Sequence, residues 1–342
     1  MKILAWIFMS LGMVFSLTLN AWAGPTEDLF QGIAAHDLAL VQRAWQQGAS
    51  QTLADDPKTA LMHAAEAGDF EIFEYLLDYG ADPGYICCDG WTTLMSAATG
   101  GNPEIFKLLL DLGLDMHAKT TDGWTVLMSA AVGKVDNRPV DPTFAAGPGH
   151  LEITRFLLYQ GVDPHTRQSD GMTVLMGAAM GGNLELVQAL LAERVDTQIV
   201  SAEGISLLMT AAESGKAEVF FLLEPGADLW AKTSEGWGLL NSAAIGGNLE
   251  VFNYLLSKGL DPKSVTSNGN TVLMSAAAGG NPAIVKLLLD LGLDPNARDS
   301  KGCTALCLAT AADRPQVIEQ LRAAGAIPVE DLVKSQTQSQ AD

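Results

Sequence analysis

Methionine is the first residue type in this sequence whose spacing invites a chemical interpretation. Six methionines recur at one position of a repeated phrase: Met62, Met95, Met128, Met176, Met209 and Met274. Thioethers bind Cu(I), so the series would suit copper chemistry. One methionine per stacked layer, however, separates the sulfur atoms by about 10 Å, because packed helices lie roughly 8–10 Å apart. The series therefore predicts adaptable core packing, and we expect no metal or other cofactor.

Histidine and acidic residues show no arrangement that is typical of catalysis. The five histidines lie at unrelated positions: His36, His63, His117, His150 and His165. Many aspartates occupy one loop position per repeat, as in turns and caps: Asp115, Asp163, Asp261 and Asp294. The sequence also lacks a nucleophile elbow, a zinc-protease motif, a P-loop and a dinucleotide fingerprint. We therefore predict that the protein is not an enzyme.

The four cysteines form two pairs that lie far apart in the chain. Cys87 and Cys88 are adjacent, so a bond between them would be strained. Cys303 and Cys307 are four residues apart and can close a disulfide if the local backbone allows it. Four free or buried thiols are the alternative, and the sequence leaves both interpretations open. The C-x-x-C spacing typical of zinc and thioredoxin-like sites is absent.

The first 23 residues have the pattern of an export signal. Lys2 precedes an almost wholly apolar stretch, residues 3–19, and Ala21-Trp22-Ala23 supplies the small-x-small pattern that signal peptidase recognises. We expect cleavage after Ala23 and a mature chain in the periplasm or secreted, with an uncleaved anchor as the alternative. No later apolar run is long enough to span a bilayer, so no stable membrane insertion is expected after cleavage.

The chain is strongly acidic, with 40 acidic and 20 basic residues and a formal net charge of −20. This balance disfavours nucleic acid and anionic membranes as partners, because phosphate binding needs a basic patch. Solubility through like-charge repulsion is one explanation of the charge, and a basic protein partner is the other. We expect the chain to be monomeric.

A phrase of about ten residues recurs and organises most of the chain. It reads DGWTTLMSAA from Asp89, DGWTVLMSAA from Asp122 and NGNTVLMSAA from Asn268. The copies start at Asp89, Asp122, Asp170, Glu203, Glu235, Asn268 and Lys301, so successive spacings are 33, 48, 33, 32, 33 and 33 residues. A period of this size is typical of stacked supersecondary units, which mostly present extended surfaces to partners.

One unit, residues 89–121, shows how each repeat should fold. After an Asp-Gly turn, Thr92 is placed to cap a short helix. Gly100-Gly101 ends that helix, and Pro103 suits the first turn of a second one. An extended connector then leads to the next Asp-Gly. The order is helix, turn, helix and hairpin-like loop, which predicts an α-solenoid.

These units resemble the ankyrin repeat, whose hallmark is G-x-T-P-L-H-x-A-A followed by G-[HN]-x-E and G-A-D. Residues 123–131 match the first part, residues 182–187 the second and residues 80–83 the third. The resemblance implies an all-α solenoid of stacked ankyrin repeats, with about 8–9 units including caps. The family histidine is replaced by methionine in six units, so we expect another contact to stabilise the loops.

The predicted organisation is a signal peptide at 1–23, an ankyrin-repeat array at 24–331 and a disordered tail at 332–342. The units lie near 26–56, 57–88, 89–121, 122–169, 170–202, 203–234, 235–267, 268–300 and 301–331, and the fourth carries an insertion at 133–148. Phe144 in that insertion is either a docking residue or a residue that packs on the helices. Pro225 is expected to end the second helix of its unit early.

The residue between the turn glycine and the following threonine defines what we call the post-glycine column. It contains Trp91, Trp124, Met172, Ile205, Trp237, Asn270 and Cys303. The resemblance implies that this column lies on the concave side and touches partners. We expect Trp91, Trp124, Met172, Ile205 and Trp237 to bind a partner, because exposed apolar patches are rarely unused and tryptophan is enriched at hot spots. The alternative is that the rings fold over the adjacent loops and stiffen the array.

The functional expectation is an exported, non-enzymatic module that binds a protein through its concave face. It would serve as a scaffold, chaperone or inhibitor. A secreted effector or immunity-type protein that acts on a foreign target is one alternative, and a structural envelope component is another.

Overall fold

The computed structural model describes residues 24–133 and 147–328. Their regular secondary structure is almost entirely α-helical, as the all-α expectation requires, and they fall into two compact units. The first unit contains residues 24–133 and 147–195, and the second contains residues 196–328. Within the described ranges, no helix has both the length and the apolar character needed to cross a membrane.

The first unit is a succession of paired helices joined by short loops. Its helices are α1 (Pro25–Ala35), α2 (Leu38–Gln46), α3 (Ala60–Ala67), α4 (Phe70–Asp78), α5 (Thr93–Gly100), α6 (Pro103–Asp111), α7 (Val126–Val132), α8 (Pro148–Tyr159), α9 (Val174–Gly181) and α10 (Leu184–Ala192). Two of the loops form small antiparallel hairpins, in which β1 (Thr52–Leu53) pairs with β2 (Asp56–Thr59) and β3 (Ile86–Cys87) pairs with β4 (Trp91–Thr92).

The second unit repeats the same helix pair four times. Its helices are α11 (Leu207–Glu213), α12 (Ala217–Leu223), α13 (Leu239–Gly246), α14 (Leu249–Ser257), α15 (Val272–Gly279), α16 (Pro282–Asp290), α17 (Ala305–Ala311) and α18 (Pro315–Ala323). Helix α12 ends at Leu223, two residues before Pro225, and is shorter than α14 and α16. The early end predicted from this proline is confirmed.

Hydroxyl residues start most of the first helices, as the sequence predicts. In α5, Thr92 Oγ1 accepts a hydrogen bond from the Met95 backbone N–H at 3.2 Å. The same bond starts α3, α7, α9, α11, α15 and α17, with Thr59, Thr125, Thr173, Ser206, Thr271 and Thr304 as caps. Each cap satisfies one of the backbone donors that a helix leaves free at its amino end.

The Leu-Met and Ala-Ala positions of the phrase form the core between first helices of successive repeats. Leu94, Met95, Ala97 and Ala98 are each fully buried. The six repeated methionines are at most 1% exposed, which confirms core packing. Small residues are needed where the helices approach, because a Cβ on Gly246 would lie 2.1 Å from the Ala212 carbonyl oxygen.

Adjacent loops are joined by hydrogen bonds between backbone atoms. In the first unit, Thr121 N–H donates to Asp89 O and Ser169 N–H donates to Asp122 O, both at 2.7 Å. In the second unit, Ser267 and Ser300 donate to Glu235 O and Asn268 O, again at 2.7 Å. This backbone ladder is a contact between loops that does not involve the position of the family histidine. The close approach also needs glycine: a Cβ on Gly90, at φ +99°, would lie 3.2 Å from Thr120 Cα.

The predicted insertion at 133–148 falls largely outside the described residues. The structure describes its borders, where α7 ends at Val132 and α8 begins at Pro148. Phe144 lies outside the described residues, so both interpretations of this side chain stay predictions. The same holds for the signal peptide and for the tail at 332–342.

Candidate partner-binding column

In the first unit, the side chains of the post-glycine column are half-buried. Trp91 and Trp124 have ring centroids 6.4 Å apart and planes inclined by 32°. Lys58 occupies the equivalent position of the preceding repeat, and its Nζ lies 5.0 Å from the Trp91 ring centroid. Met172, also half-buried, holds this position in the last repeat of the unit. The row thus offers one ammonium group, two indole rings and a thioether.

Each tryptophan of the column is tied by its indole nitrogen to a serine five residues later. Trp91 Nε1 donates to Ser96 Oγ at 2.9 Å, Trp124 to Ser129 at 2.8 Å and Trp237 to Ser242 at 3.0 Å. These serines lie on the buried side of the first helix. The rings therefore fold back along the first helices of their own repeats. Because each ring is half-buried rather than buried, part of its surface stays accessible to a partner.

Two of these tryptophan–serine pairs extend to a glutamate of the preceding repeat. Ser96 Oγ donates to Glu66 Oε1 at 3.1 Å, and Ser242 Oγ donates to Glu213 Oε1 at 2.9 Å. The two glutamates hold the same position in their helices, and the sequence interpretation overlooked both. Both follow the column position of their repeat by eight residues, after Lys58 and Ile205, and this shared spacing could have identified them from the sequence.

Glu66 has a positively charged neighbour, whereas Glu213 has an uncharged residue in the equivalent place. Lys58 Nζ forms an ion pair with Glu66 Oε1 across half-buried side chains. In the equivalent place beside Glu213, the column holds Ile205, which carries no charge. Burial raises the pKa of the Glu213 carboxyl from its ordinary value of 4.5 to about 7, although hydrogen bonds from Ser242 and Trp237 oppose the shift. Glu213 therefore exchanges its proton near neutral pH.

In the second unit, the column is less accessible than the sequence interpretation expects. Ile205 is only 7% exposed, so its expected place on an exposed surface is wrong. Its backbone N–H donates to Ser201 Oγ at 3.1 Å, within a turn that folds the residue inward. Asn270 is 5% exposed and accepts a hydrogen bond from Ser275 Oγ at 3.2 Å. Trp237 is thus the one large half-buried ring of the column in this unit.

The last position of the column is occupied by a disulfide. Cys303 Sγ is bonded to Cys307 Sγ, with the Cα atoms 5.6 Å apart. Cys87 and Cys88 are free thiols. No group of three or more histidine, cysteine, aspartate or glutamate side chains within 24–133 and 147–328 is arranged to hold a metal ion.

The most buried of the described histidines has a structural role. His150 Nδ1 accepts the Gly147 backbone N–H at 3.0 Å, and Nε2 lies 2.9 Å from the Thr99 carbonyl oxygen. These two bonds require the neutral tautomer with the proton on Nε2. Burial lowers the pKa of His150 accordingly. The bond to Thr99 joins the first turn of α8 to the last turn of α5. In the repeat before, Asn102 Nδ2 donates to the Gly68 carbonyl oxygen just after α3.

The structure also exposes large aromatic side chains that the sequence interpretation did not select. Trp230 is 63% exposed at a loop tip of the second unit, and Tyr159 is 88% exposed at the end of α8. Other repeats hold polar residues at the Trp230 position, including His117 and Lys263. A tryptophan at a loop position that is polar in other repeats could have been recognised from the sequence as an exposed aromatic residue.

The comparisons with known proteins agree with this architecture. The model of a family described as ankyrin repeats, in three copies, matches residues 29–120, 61–137, 143–233 and 240–330. The matched stretches take in nearly all of the described residues. None of the curated proteins compared with the chain matches it.

Proposed function

Because the chain belongs to the ankyrin-repeat family, we propose that it is an exported, non-enzymatic module that holds a protein partner through the concave face carrying the post-glycine column. Ankyrin repeats generally mediate protein–protein interaction, and membership of the family therefore supports a binding module. Export of the chain, binding through the concave face and the chemical nature of the partner are proposals.

The observation that carries the proposal is the row formed by Lys58, Trp91 and Trp124. The half-buried rings of Trp91 and Trp124 are neighbours, with centroids 6.4 Å apart, and tryptophan is among the residues most enriched at binding hot spots. Their N–H groups are bonded internally, which holds the rings in place before a partner arrives. Such preorganisation lowers the entropic cost of binding.

A basic partner suits this row better than an acidic or neutral one. The Lys58 ammonium already lies over the Trp91 ring at 5.0 Å from its centroid, in the geometry of a cation–π contact. Trp124 offers a comparable ring, and the net charge of −20 favours the approach of cations. We propose that a lysine or arginine of the partner lies against Trp124.

Export rests on the apolar stretch and the Ala21-Trp22-Ala23 pattern near the amino terminus. Expression of the full chain in a bacterium, followed by intact-mass measurement of the periplasmic fraction, tests it directly. We expect a chain that begins at Gly24. A full-length chain that stays with the membrane fraction would favour the uncleaved anchor instead.

The partner proposal is tested by affinity capture from a periplasmic extract with the mature chain and its W91A/W124A/W237A variant. We expect the variant to lose capture of basic proteins while its circular-dichroism spectrum stays helical. Unfolding of the triple variant would show a structural role, so W91F/W124F/W237F is measured in parallel. Phenylalanine keeps an aromatic ring but removes the indole N–H and part of the ring surface, and we expect it to retain part of the capture.

Tyr159→Ala and Trp230→Ala are the matched controls, because both remove a large exposed aromatic side chain outside the column. Unchanged capture by both variants supports the column. Loss of capture in Trp230→Ala alone would assign the interaction to the loop tips and overturn the proposed face. Equal capture by all variants would leave a structural envelope component as the better interpretation.

A further inference from the structure

Cys87 and Cys88 lie side by side at the hairpin that carries Trp91. Cys87 ends strand β3 and pairs with Trp91 of β4 in the antiparallel register. Cys88 begins the single 3-10 turn over Cys88–Gly90, which reverses the chain. Side chains of successive strand residues normally point to opposite faces. The turn breaks this alternation, and the two Sγ atoms lie 2.7 Å apart.

The two thiols differ sharply in their access to solvent. Cys87 is buried, at 5% exposure, whereas Cys88 is exposed. Burial, together with the hydrogen bond and charge of Cys88, raises the pKa of the Cys87 thiol well above its ordinary value. One sulfur can therefore meet a reagent from solution, and the other is held in contact with the first as a protonated thiol.

We infer that Cys87 and Cys88 form a vicinal dithiol site that exchanges with small-molecule disulfides and closes reversibly into a Cys87–Cys88 disulfide. The inference does not depend on the partner proposal. It assigns to Cys88 the attacking role and to Cys87 the resolving role. A small-molecule disulfide of the glutathione type is the oxidant.

The exchange proceeds in two balanced steps. The Cys88 thiolate attacks one sulfur of the small disulfide, which forms a mixed disulfide on Cys88 and releases one small thiolate. Cys87 then loses its proton to solvent and attacks Cys88 Sγ, which releases the second small thiolate. Two cysteine thiols are oxidised, and one small disulfide is reduced to two thiols once the thiolates take up protons.

Closure is favoured at the second step for two reasons. The Cys87 sulfur is already within 2.7 Å of the sulfur that it attacks, so little movement separates the pair from a covalent distance of about 2.05 Å. In the mixed disulfide, Cys88 no longer carries a thiolate charge, which removes one of the causes that raise the pKa of Cys87. A bond between adjacent cysteines is strained, so small thiols should reopen it.

The test uses the full chain with C303S/C307S, which leaves Cys87 and Cys88 as the two cysteines of the sequence. The reduced protein is treated with glutathione disulfide and measured by intact mass. We expect a loss of two hydrogen atoms without a retained glutathione, and full recovery of the original mass with dithiothreitol. Adding C87S should stop the reaction at one glutathione adduct, whereas adding C88S should give no adduct on the folded protein.

A persistent glutathione adduct on the C303S/C307S chain would overturn the inference, as would a complete lack of reaction. Because loss of the Cys303–Cys307 bond can weaken folding, the unsubstituted chain is also oxidised and digested without reduction. The peptide that contains residues 87–88 should then carry an internal disulfide. Its recovery as two alkylated thiols would contradict closure regardless of how the variant folds.

Discussion

At the scale of single residues, each tryptophan of the post-glycine column is fixed by an internal hydrogen bond and still exposes part of its ring to solvent. Each indole N–H donates a hydrogen bond to a buried serine, while part of the ring lies at the surface. Replacing tryptophan with phenylalanine removes the N–H together with part of the ring, so an exposed tryptophan without that bond is needed for comparison. The exposed Trp230 has no such bond among the described contacts and provides an internal reference.

We expect Trp237→Phe and Trp124→Phe each to lower the free energy of unfolding by about 1 kcal/mol, the usual net contribution of a hydrogen bond. Trp230→Phe should leave it unchanged, because that ring is 63% exposed. Urea unfolding followed by circular dichroism measures all three. Equal effects at the three positions would show that the serine contacts contribute nothing.

The pair Glu66 and Glu213 allows a second prediction at this scale. Glu213 has a pKa of about 7 in the folded protein and an ordinary value of 4.5, so the folded state binds more protons than the unfolded state between these pH values. Stability therefore falls as pH rises through this interval. Glu213→Gln should remove that dependence and raise the free energy of unfolding at pH 8 by about 1–2 kcal/mol, since one pKa unit corresponds to about 1.4 kcal/mol and the side chain is half-buried.

Glu66→Gln is the matched control, because it sits at the same repeat position but loses an ion pair with Lys58. We expect it to lower stability at pH 8, opposite in sign to Glu213→Gln. Urea midpoints at pH 4 and pH 8 test both variants. A Glu213→Gln effect that is the same at the two pH values would contradict the assigned titration.

At the scale of helices, α13 shows how one repeat departs from the phrase and compensates. Gly238 stands where other repeats have a capping hydroxyl, so no side chain caps α13 from that position. Asn241 replaces the usual methionine, and its Oδ1 accepts the Gly238 N–H at 3.3 Å. Its Nδ2 also donates to Ser275 Oγ of the next repeat at 3.1 Å.

This compensation predicts that substitutions at Gly238 and Asn241 have coupled effects on the free energy of unfolding. Asn241→Met should destabilise the chain by about 1–3 kcal/mol, because it removes the partners of buried polar groups. Adding Gly238→Thr should recover about 1 kcal/mol by restoring the usual cap; a Cβ there has its nearest neighbour at 3.7 Å. A double-mutant cycle measures the coupling, and additive effects would refute it.

The array and its local signals could be predicted from the sequence, whereas the contacts between repeats could not. Thr92 as a cap, the methionines as core and the early end at Pro225 are set by neighbouring residues, so the local pattern sufficed. Ser96 and Glu66 lie 30 residues apart and meet only after stacking. Burial of Ile205 likewise depends on how its turn folds, which the apolar character of the residue does not reveal.

At the scale of the whole molecule, the net charge of −20 opposes compaction and favours basic partners. Salt should therefore act on stability and capture in opposite directions. Between about 20 mM and 300 mM NaCl, where screening shortens the reach of charge interactions, we expect the melting temperature to rise by about 2–4 °C, equivalent to about 1 kcal/mol. Capture of the proposed basic partner should weaken over the same range.

Thermal melts and capture assays in one salt series check this pair of trends. If salt strengthens capture, an apolar rather than a basic partner is indicated. A melting temperature that falls with salt would show that attractive ion pairs, such as Lys58 with Glu66, outweigh the general repulsion.

The loops are held to one another by main-chain atoms, as in the bond from Ser267 N–H to Glu235 O. Such a bond places almost no demand on side-chain identity beyond the glycine that permits close approach. Tryptophan, methionine, isoleucine, asparagine and cysteine all occupy the column in this one chain, and Lys58 holds the equivalent position of the repeat before it. The backbone ladder therefore leaves the column open to different side chains from repeat to repeat, and substitution there is the route by which the proposed binding face would change its partner.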